Sequence, residues 1–352
     1  MRMRTTNTLL AVAILSVVFA AAACGDSASD ATIAADAGGG GSSSSGEAGG
    51  SGGLQPGAGS DAASDGASPQ GTTDGGAPAD ARTDTGDGAI QPRPGACTPP
   101  IVPTPGVQTA HTKGSTCAKL GYLAYVPAAY ATRNDWPLII FFHGDGQRGN
   151  GTTDLPLVDG DGLPKDIKAG TWDPGKRFVV LSPQMDDRNG LPERTGGSVN
   201  DFVAFAKANY QIDVKRIYLT GLSGGGAPVY NYLGDYAGGE IAAAAPTSGW
   251  YSTQGKECTW KQIPIWYFHG NVDNIVPAKD HATKSYETLA ACSPAAPIAP
   301  RYTLFRDVGH SAWNPAYELT GMNAASYPLV AAPPGTTAYD VPFYDWLLQY
   351  KR

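Results

Sequence analysis

Four long apolar runs follow one another along the chain after residue 130, at 137–142, 177–182, 216–220 and 263–268. None of them alternates strictly between apolar and polar positions, which is typical of strands buried on both faces of a parallel sheet. Each run ends at a turn with small or reactive residues. Similar runs at 241–246 and 302–306 predict two further strands.

Helix-compatible segments lie between these strands, at 198–210, 228–236, 278–291 and 341–350. The first opens with Ser198 as a predicted capping residue, followed three positions later by Asp201, a variant of the capping box. Strands that alternate with helices predict an α/β fold, with a mostly parallel central sheet and helices on both faces. In such a sheet the functional site lies at the carboxyl ends of the strands.

The first 23 residues have the pattern of an export signal, with two arginines ahead of an apolar run at 9–23. That run is too short to predict a membrane span. Residues 21–24, AAAC, resemble the lipobox of bacterial lipoproteins, in which the cysteine, here Cys24, becomes lipidated. Alanine at position 21, where the motif usually has leucine, leaves ordinary signal-peptide cleavage as the alternative. The sequence therefore predicts an extracytoplasmic protein, either lipid-anchored at the cell envelope or secreted.

Residues 24–96 consist mainly of Gly, Ser, Ala and Asp, with almost no large apolar side chain. Such a segment cannot bury enough surface to offset the entropy of ordering, so we predict a disordered tether. Residues 97–352 are enough for one large folded domain. The tether carries most of the acidic excess behind the chain's net charge of −7. The predicted domain is therefore close to neutral, which argues against a nucleic-acid partner.

The most informative motif is a Gly-x-Ser-x-Gly turn around Ser223, in the stretch RIYLTGLSGGG. A serine on a sharp turn between a strand and a helix is exposed as a nucleophile, and the flanking Gly221 and Gly225 avoid steric clash there. The pattern alone is weak evidence, because residues 49–53 match it inside the low-complexity tether. Its position after a predicted strand and before a predicted helix favours Ser223.

An acid and a histidine follow Ser223 in the chain order of a Ser-Asp-His hydrolase. Asp273 lies in HGNVDNIVP, after one predicted strand, and His310 lies in GHSAWNPAY, after the last one. We expect His310 to take the proton from Ser223 and Asp273 to hold the imidazole in the required tautomer. The other candidates are less favourable by position: His269, His143, His281 and His111 as the base, and Asp307 and Asp280 as the acid.

Two backbone amides are predicted to form an oxyanion hole, which stabilises the charge that develops on a carbonyl oxygen. One is the amide of Gly224, directly after the nucleophile. The other belongs to the loop HGDGQRGNG, for which we predict the amide of Asp145 and a loop-bracing role for His143. Neither glycine-rich segment carries the Lys-Ser/Thr pair of a phosphate-binding P-loop.

Taken in order, HGDGQRGNG, GLSGGG, HGNVDNIVP, GHSAWNPAY and FYDWLLQ resemble the α/β-hydrolase superfamily over residues 110–352. Within it the chain is similar to secreted esterases grouped with polyhydroxybutyrate depolymerases, feruloyl and acetylxylan esterases, dienelactone hydrolases and prolyl-oligopeptidase-like predicted peptidases. The resemblance implies Ser223, Asp273 and His310 as the catalytic residues, and the amides of Asp145 and Gly224 as oxyanion donors. It also implies that no cofactor or metal is needed.

Aromatic residues near the strand ends are candidate substrate-binding residues. Trp250 follows the run 241–246, and Trp313 lies three residues after His310. If exposed, each offers a flat apolar surface to a sugar or an aromatic acyl group, whereas the alternative for both is core packing. Once Cys24 is set aside, four cysteines remain. Of their three possible connectivities we predict the nearest pairing, Cys97–Cys117 and Cys258–Cys292.

The sequence therefore predicts an extracytoplasmic serine hydrolase that cleaves carboxylic esters, small or polymeric, through an acyl-enzyme. A serine peptidase is the alternative with the same chemistry, because a triad and an oxyanion hole serve both reactions. A surface binding protein that has lost turnover is the alternative of a different class. The oligomeric state, the presence of a lid and the acyl and alcohol specificity are left open by the sequence.

Overall fold

The apolar runs form the strands of one eight-stranded sheet in the computed structural model, which describes residues 93–172, 177–186, 188, 193–253, 255–322 and 335–352. The strands are β1 Gln108–His111, β2 Tyr122–Tyr125, β3 Trp136–Phe142, β4 Val179–Pro183, β5 Ile212–Leu222, β6 Ala243–Thr247, β7 Trp266–Gly270 and β8 Arg301–Phe305. Every residue of β3, β4, β6 and β7 is buried, which explains why their sequences lack polar alternation.

The strands are arranged in the order β1-β2-β4-β3-β5-β6-β7-β8. Strand β2 pairs antiparallel with β1 and β4, and all the other pairs are parallel. This mostly parallel sheet confirms the predicted α/β-hydrolase fold. Its parallel part carries the loops after β3, β5, β6, β7 and β8 at the same edge.

Helices cover both faces of the sheet. They are α1 Gly162–Ala169, α2 Gly196–Asn209, α3 Gly226–Tyr236, α4 Ala282–Ala290, α5 Trp313–Tyr317 and α6 Phe343–Leu348. Alternate residues of β3 enter two separate cores. Leu138 and Ile140 pack in the core shared with α2, α3 and α4, whereas Ile139 and Phe141 pack in the core shared with α1, α5 and α6. The core on each side therefore needs apolar residues at successive positions of the strand.

All four predicted helix starts differ from the structure by two to four residues, and α3 begins at Gly226 and α6 at Phe343 instead of at 228 and 341. Helix α2 begins before Ser198, at Gly196, because the side chain of Thr195 accepts a hydrogen bond from the Ser198 amide and so caps the helix. The predicted helix 278–291 is interrupted near its start. A 3-10 turn at Ala278–Asp280 ends at His281, and α4 starts at Ala282.

The structure contains the two predicted disulfides, Cys97–Cys117 and Cys258–Cys292. The first joins the beginning of the domain to the segment before β2, and the second joins the segment before β7 to the end of α4. The predicted export signal, Cys24 and residues 25–92 of the predicted tether lie outside the described residues. Residues 93–96, which were predicted as tether, are instead held against the end of α2, where Arg93 Nη1 donates to the carbonyls of Lys207 and Tyr210, each at 3.1 Å. Within those residues, no helix has the length and apolar character needed to cross a membrane.

Candidate active site

Ser223 lies on a tight turn between β5 and α3, as the sequence predicts. Its φ of 54° is in the left-handed region that serine rarely adopts. The turn packs closely against its surroundings. A Cβ on Gly225 would lie 2.2 Å from the carbonyl oxygen of Phe142, and one on Gly226 would lie 2.5 Å from Cα of Gly249. Close packing against β3 and against the loop after β6 therefore explains why this turn is so rich in glycine.

The structure brings Ser223, His310 and Asp273 into one hydrogen-bonded chain. His310 Nε2 lies 2.8 Å from Ser223 Oγ, and His310 Nδ1 lies 2.8 Å from Asp273 Oδ2. Because an ionised carboxylate only accepts hydrogen bonds, Nδ1 carries the proton and Nε2 is left to accept from the serine hydroxyl. The three residues come from the loops after β5, β7 and β8, which the parallel sheet brings to one edge.

Asp273 is buried and its carboxylate is fully engaged. Oδ1 accepts from the amides of Ile275 and Val276, each at 2.9 Å, and Oδ2 lies 3.2 Å from His269 Nε2 in addition to its contact with His310. Burial alone would raise the pKa of this carboxyl, but the hydrogen bonds outweigh it and hold the pKa well below its usual range. Asp273 is therefore ionised at neutral pH and is able to stabilise an imidazolium on His310.

The other histidines have different surroundings. His269 is buried, and its Nε2 lies 2.7 Å from the Val276 carbonyl, which fixes that nitrogen as a donor beside Asp273. His143 is buried in the loop after β3. His281 accepts from the Tyr251 amide at 3.0 Å, and His111 stacks on Tyr122. None of these four contacts Ser223 in the hydrogen bonds of the described residues.

The two alternative acids are also placed away from this chain. Asp307 and Asp280 are exposed, in the loop after β8 and in the 3-10 turn before α4. Neither makes a hydrogen bond to His310 within the described part of the chain. Asp273 is therefore the carboxylate that the fold presents to His310.

The amides of Asp145 and Gly224 lie at two adjacent turns. Each residue is in the first turn of a short 3-10 helix, where backbone N–H groups have no partner within the helix. The turns touch each other, because a Cβ on Gly224 would lie 1.9 Å from Asp145 Oδ1. The assignment of these amides as oxyanion donors remains a prediction, and their closeness is compatible with it.

His143 braces the loop after β3, as the sequence predicts, through hydrogen bonds to the Gly144 carbonyl and the Met185 amide, but sequence reasoning missed two other side chains that hold this loop. Gln147 Oε1 accepts from the Gly144 amide at 3.0 Å, and its Nε2 donates to the Val158 carbonyl at 3.2 Å. Arg194 reaches the same loop from the start of α2 and pairs with Asp145. No motif surrounds Arg194 in the sequence, so only the folded chain reveals this contact.

The two candidate aromatics differ in exposure. Trp250 is 50% exposed, and its ring lies 5.1 Å from that of His281. Trp313 is only 5% exposed, because its ring packs edge-on against His310 and its indole N–H donates to Asp161 Oδ1 at 3.0 Å. The condition of exposure is therefore not met at Trp313, and core packing, the stated alternative, describes that residue. Trp250 remains a candidate for substrate contact.

The described residues contain no group of three or more His, Cys, Asp or Glu side chains that could hold a metal ion. The carboxylate of Asp273 is instead hydrogen-bonded to the imidazoles of His310 and His269. Whether the reaction needs a cofactor stays a matter of the sequence prediction.

Known proteins share parts of this chain. A bifunctional acetylxylan esterase/xylanase from Neocallimastix patriciarum is 36% identical over 160 residues, which cover 43% of this chain and 21% of that protein. The chain thus matches about a fifth of the length of that relative.

Solved structures to which the chain is similar include a thermostable esterase, with a TM-score of 0.48 and 23% identity over 70% of this chain and 63% of the other. A mutant feruloyl esterase module from Clostridium thermocellum, complexed with sinapinate, has a TM-score of 0.44 and 15% identity over 67% of this chain and 89% of the other. The dienelactone hydrolase family matches residues 103–330, more than half of the chain. The chain belongs to the dienelactone hydrolase family.

Proposed function

We propose that this protein is a serine esterase that hydrolyses carboxylic esters through an acyl-enzyme on Ser223. The observation that carries the proposal is the hydrogen-bonded chain from Asp273 through His310 to Ser223, with both links at 2.8 Å and the serine on a strained turn. That arrangement provides a nucleophile, a base within hydrogen-bonding reach and a group that orients the base.

In the first half of the reaction, Ser223 Oγ attacks the ester carbonyl carbon while its proton passes to His310 Nε2. Negative charge develops on the carbonyl oxygen, where the amides of Asp145 and Gly224 are the proposed donors. When the tetrahedral intermediate collapses, the bond to the alcohol oxygen breaks, and that oxygen takes the proton from His310. The alcohol leaves, and the acyl group stays on Ser223.

In the second half, a water molecule attacks the acyl-enzyme and gives a proton to His310 Nε2. Collapse of the second intermediate breaks the bond to Ser223 Oγ, which recovers the proton from His310, and the carboxylic acid leaves. Asp273 keeps its negative charge throughout and stabilises the imidazolium in both halves. The low pKa of its carboxyl suits this role.

The family match and the relative with acetylxylan esterase in its name support ester hydrolysis. The ring of Trp250 is a half-exposed aromatic surface near the nucleophile, since the backbone amide of Trp250 donates a hydrogen bond to the Ser223 carbonyl. We propose that it contacts the acyl or alcohol part of the substrate, including esters carried by a polymer. The exposed ring surface of Trp250 is flat, so it suits stacking by a sugar ring or an aromatic group.

A panel of chromogenic esters, from acetyl to long-chain and feruloyl, tests the proposal on the purified protein beside the Ser223→Ala variant. We expect turnover that is lost by at least about 10⁴-fold in the variant, since removal of a triad nucleophile has effects of that size or larger. Ser115→Ala, an exposed serine, is the matched control and should behave as the unchanged protein. Cleavage of peptides but not esters would favour a peptidase, and no turnover of either would favour a binding protein.

We also propose that the enzyme works outside the cytoplasm. The two disulfides support this, because such bonds persist mainly in oxidising compartments. The lipid anchor on Cys24 rests on the sequence alone. Labelling of producing cells with an alkyne analogue of palmitate tests it, with Cys24→Ser as the control. Label that disappears in the variant supports the anchor, and equal labelling of the two contradicts it.

A further inference from the structure

The peptide group between Gly144 and Asp145 is held from its carbonyl side. His143 Nδ1 lies 2.7 Å from the Gly144 oxygen, and its Nε2 accepts from the Met185 amide at 2.9 Å, so Nδ1 is the donor. The backbone amide of Gln147 also donates to this oxygen at 3.2 Å, and Arg194 Nη2 donates to it at a longer 3.4 Å. The amide on the other side of the same peptide group belongs to Asp145, one of the two proposed oxyanion donors.

Arg194 contacts both parts of the proposed oxyanion hole. Its Nη1 pairs with the carboxylate of Asp145, and a Cβ on Gly224 would lie 2.6 Å from the same nitrogen. The side chain is only 7% exposed. Its own backbone oxygen accepts from Asn231 Nδ2 at 2.7 Å, which ties it to α3, the helix that follows Ser223. The guanidinium is therefore fixed between the two turns that carry the donors.

We propose that Arg194 is a positioning residue for the oxyanion hole, because it sets the direction of the Asp145 N–H through the Gly144 carbonyl and the Asp145 carboxylate. This inference rests on the proposed function. The peptide group is planar and trans, so its C=O and N–H point in opposite directions. A donor that fixes the carbonyl therefore fixes where the amide points. The positive charge next to this peptide group also polarises it and strengthens the N–H as a donor.

A role in stability alone explains the contacts less well. The Asp145 side chain is 54% exposed, so water would solvate its carboxylate if Arg194 were absent. Removal of Arg194 would therefore leave no buried unpaired charge, which is the case in which loss of one ion-pair partner strongly lowers the free energy of unfolding. The arginine is nevertheless buried at the one place where it reaches both turns. Positioning of the amide accounts for that location.

Steady-state kinetics of Arg194→Met and Arg194→Lys on the ester best cleaved by the full protein test the proposal. We expect kcat to fall by about tenfold to a hundredfold in Arg194→Met with KM little changed, somewhat less than the about 10²–10³-fold effect of losing an oxyanion donor outright. Lysine keeps the charge but not the planar fork, so Arg194→Lys should lose less. Added guanidinium ion should restore part of the activity of Arg194→Met. Arg133→Met, which removes an exposed arginine beside Asp135, is the matched control.

The affinity for an alkyl boronic acid separates positioning from structural damage. A boronate bonded to Ser223 places an oxygen in the oxyanion hole, so its Ki should rise by the same factor by which kcat/KM falls. If Arg194 acted only on folding, the active fraction would fall while Ki stayed the same. That result, or unchanged kinetics in Arg194→Met, would overturn the proposal. If Arg194→Met does not fold, Arg194→Lys decides by the same comparison. Absence of Ser223-dependent turnover in the unchanged protein is a separate outcome that rejects the proposed function itself.

Discussion

The two turns that carry the proposed oxyanion donors are held in different ways. At the Ser223 turn, the hydrogen bonds to the peptide group between Ser223 and Gly224 come, within the described residues, from backbone groups alone. Its carbonyl accepts from the amide of Trp250 at 2.8 Å and from the amide of Gly226. Contiguous residues of β5 and α3 and one neighbouring loop build this turn, so its geometry depends on glycine and on the chain path.

At the loop after β3, the corresponding peptide group is held by side chains in addition to one backbone contact, from the Gln147 amide to the Gly144 carbonyl at 3.2 Å. The carbonyl of Gly144 accepts from His143 and Arg194, and Gln147 accepts from the Gly144 amide. Arg194 is fifty residues away in the chain. The comparison shows that the geometry of one donor depends on steric fit of the backbone, whereas that of the other also depends on the protonation of the adjacent His143 and on the charge of the distant Arg194. The two should therefore fail under different changes.

Removal of the negative charge of Asp273 leaves a residual activity that depends on the two proposed oxyanion donors. Asp273→Asn keeps the shape of the site but no longer favours the required tautomer of His310, and we expect kcat to fall by about 10⁴-fold. The activity that remains reflects the oxyanion hole. In the Asp273→Asn variant, Arg194→Met should still lower the rate constant of acylation, which a single-turnover experiment measures. A second substitution without further effect would argue that the hole contributes nothing to the residual rate.

A methyl group added at the Ser223 turn, whose peptide group is held by backbone contacts, should lower the stability of the protein. Gly225→Ala places a Cβ 2.2 Å from the Phe142 carbonyl oxygen, so backbone must move. We expect the free energy of unfolding to fall by about 2–4 kcal/mol, within the range of severe packing clashes. Urea unfolding monitored by circular dichroism measures this.

The matched control for Gly225→Ala is a glycine in the loop after β3. A Cβ on Gly146, in the loop after β3, would have no heavy atom within 4 Å other than those of its own chain neighbours. Gly146→Ala should therefore change stability by less than about 0.5 kcal/mol. Equal losses for Gly225→Ala and Gly146→Ala would contradict the steric account of the Ser223 turn.

Acid should destabilise the loop after β3, because His143 holds this loop in its neutral form. Burial lowers the pKa of His143 to about 4 from an ordinary value of 6.5. The unfolded chain therefore binds a proton more readily between these values, and stability is lost as pH falls from about 6.5 to 4. The loss attributable to His143 is about 3 kcal/mol at the lower end.

Urea unfolding at pH 7, 6, 5 and 4 measures that dependence, with His143→Gln as the comparison. The variant cannot titrate at this position, so its unfolding free energy should change less steeply over the same range. Other acidic groups, including Asp273, titrate in both proteins and cancel in the difference. Parallel curves for the two proteins would show that His143 is not the group responsible.

Trp250 allows the smallest test, because its side chain and its backbone serve different purposes. Trp250→Ala keeps the amide that holds the Ser223 carbonyl but removes the exposed ring. We expect kcat for an acetyl ester to stay the same and KM for a feruloyl or sugar ester to rise by about threefold to tenfold, as fits loss of an aromatic contact. A fall in kcat for the acetyl ester would instead assign the side chain to holding the turn.

Much of this molecule is determined by short-range patterns in the sequence. Uninterrupted apolar runs predict buried parallel strands, since both faces of each strand need apolar residues. Parallel strands end at one edge, so the sequence predicts that Ser223, Asp273 and His310, each just after a strand, meet there, and the structure brings them together. The pairing of Cys97 with Cys117 also follows from closeness in the chain.

Only the tertiary structure decided the features that depend on contact between distant segments. One exception is local, because the start of α2 depends on whether Thr195 or Ser198 caps the helix. The burial of Trp313 and the exposure of Trp250 depend on what packs over each ring, and their sequence contexts do not differ in a way that reveals it. Arg194 lies outside every motif, because its role comes from reaching two turns that the fold brings together. Local sequence therefore determines strands and the serine turn, while packing determines how the proposed oxyanion donors are held.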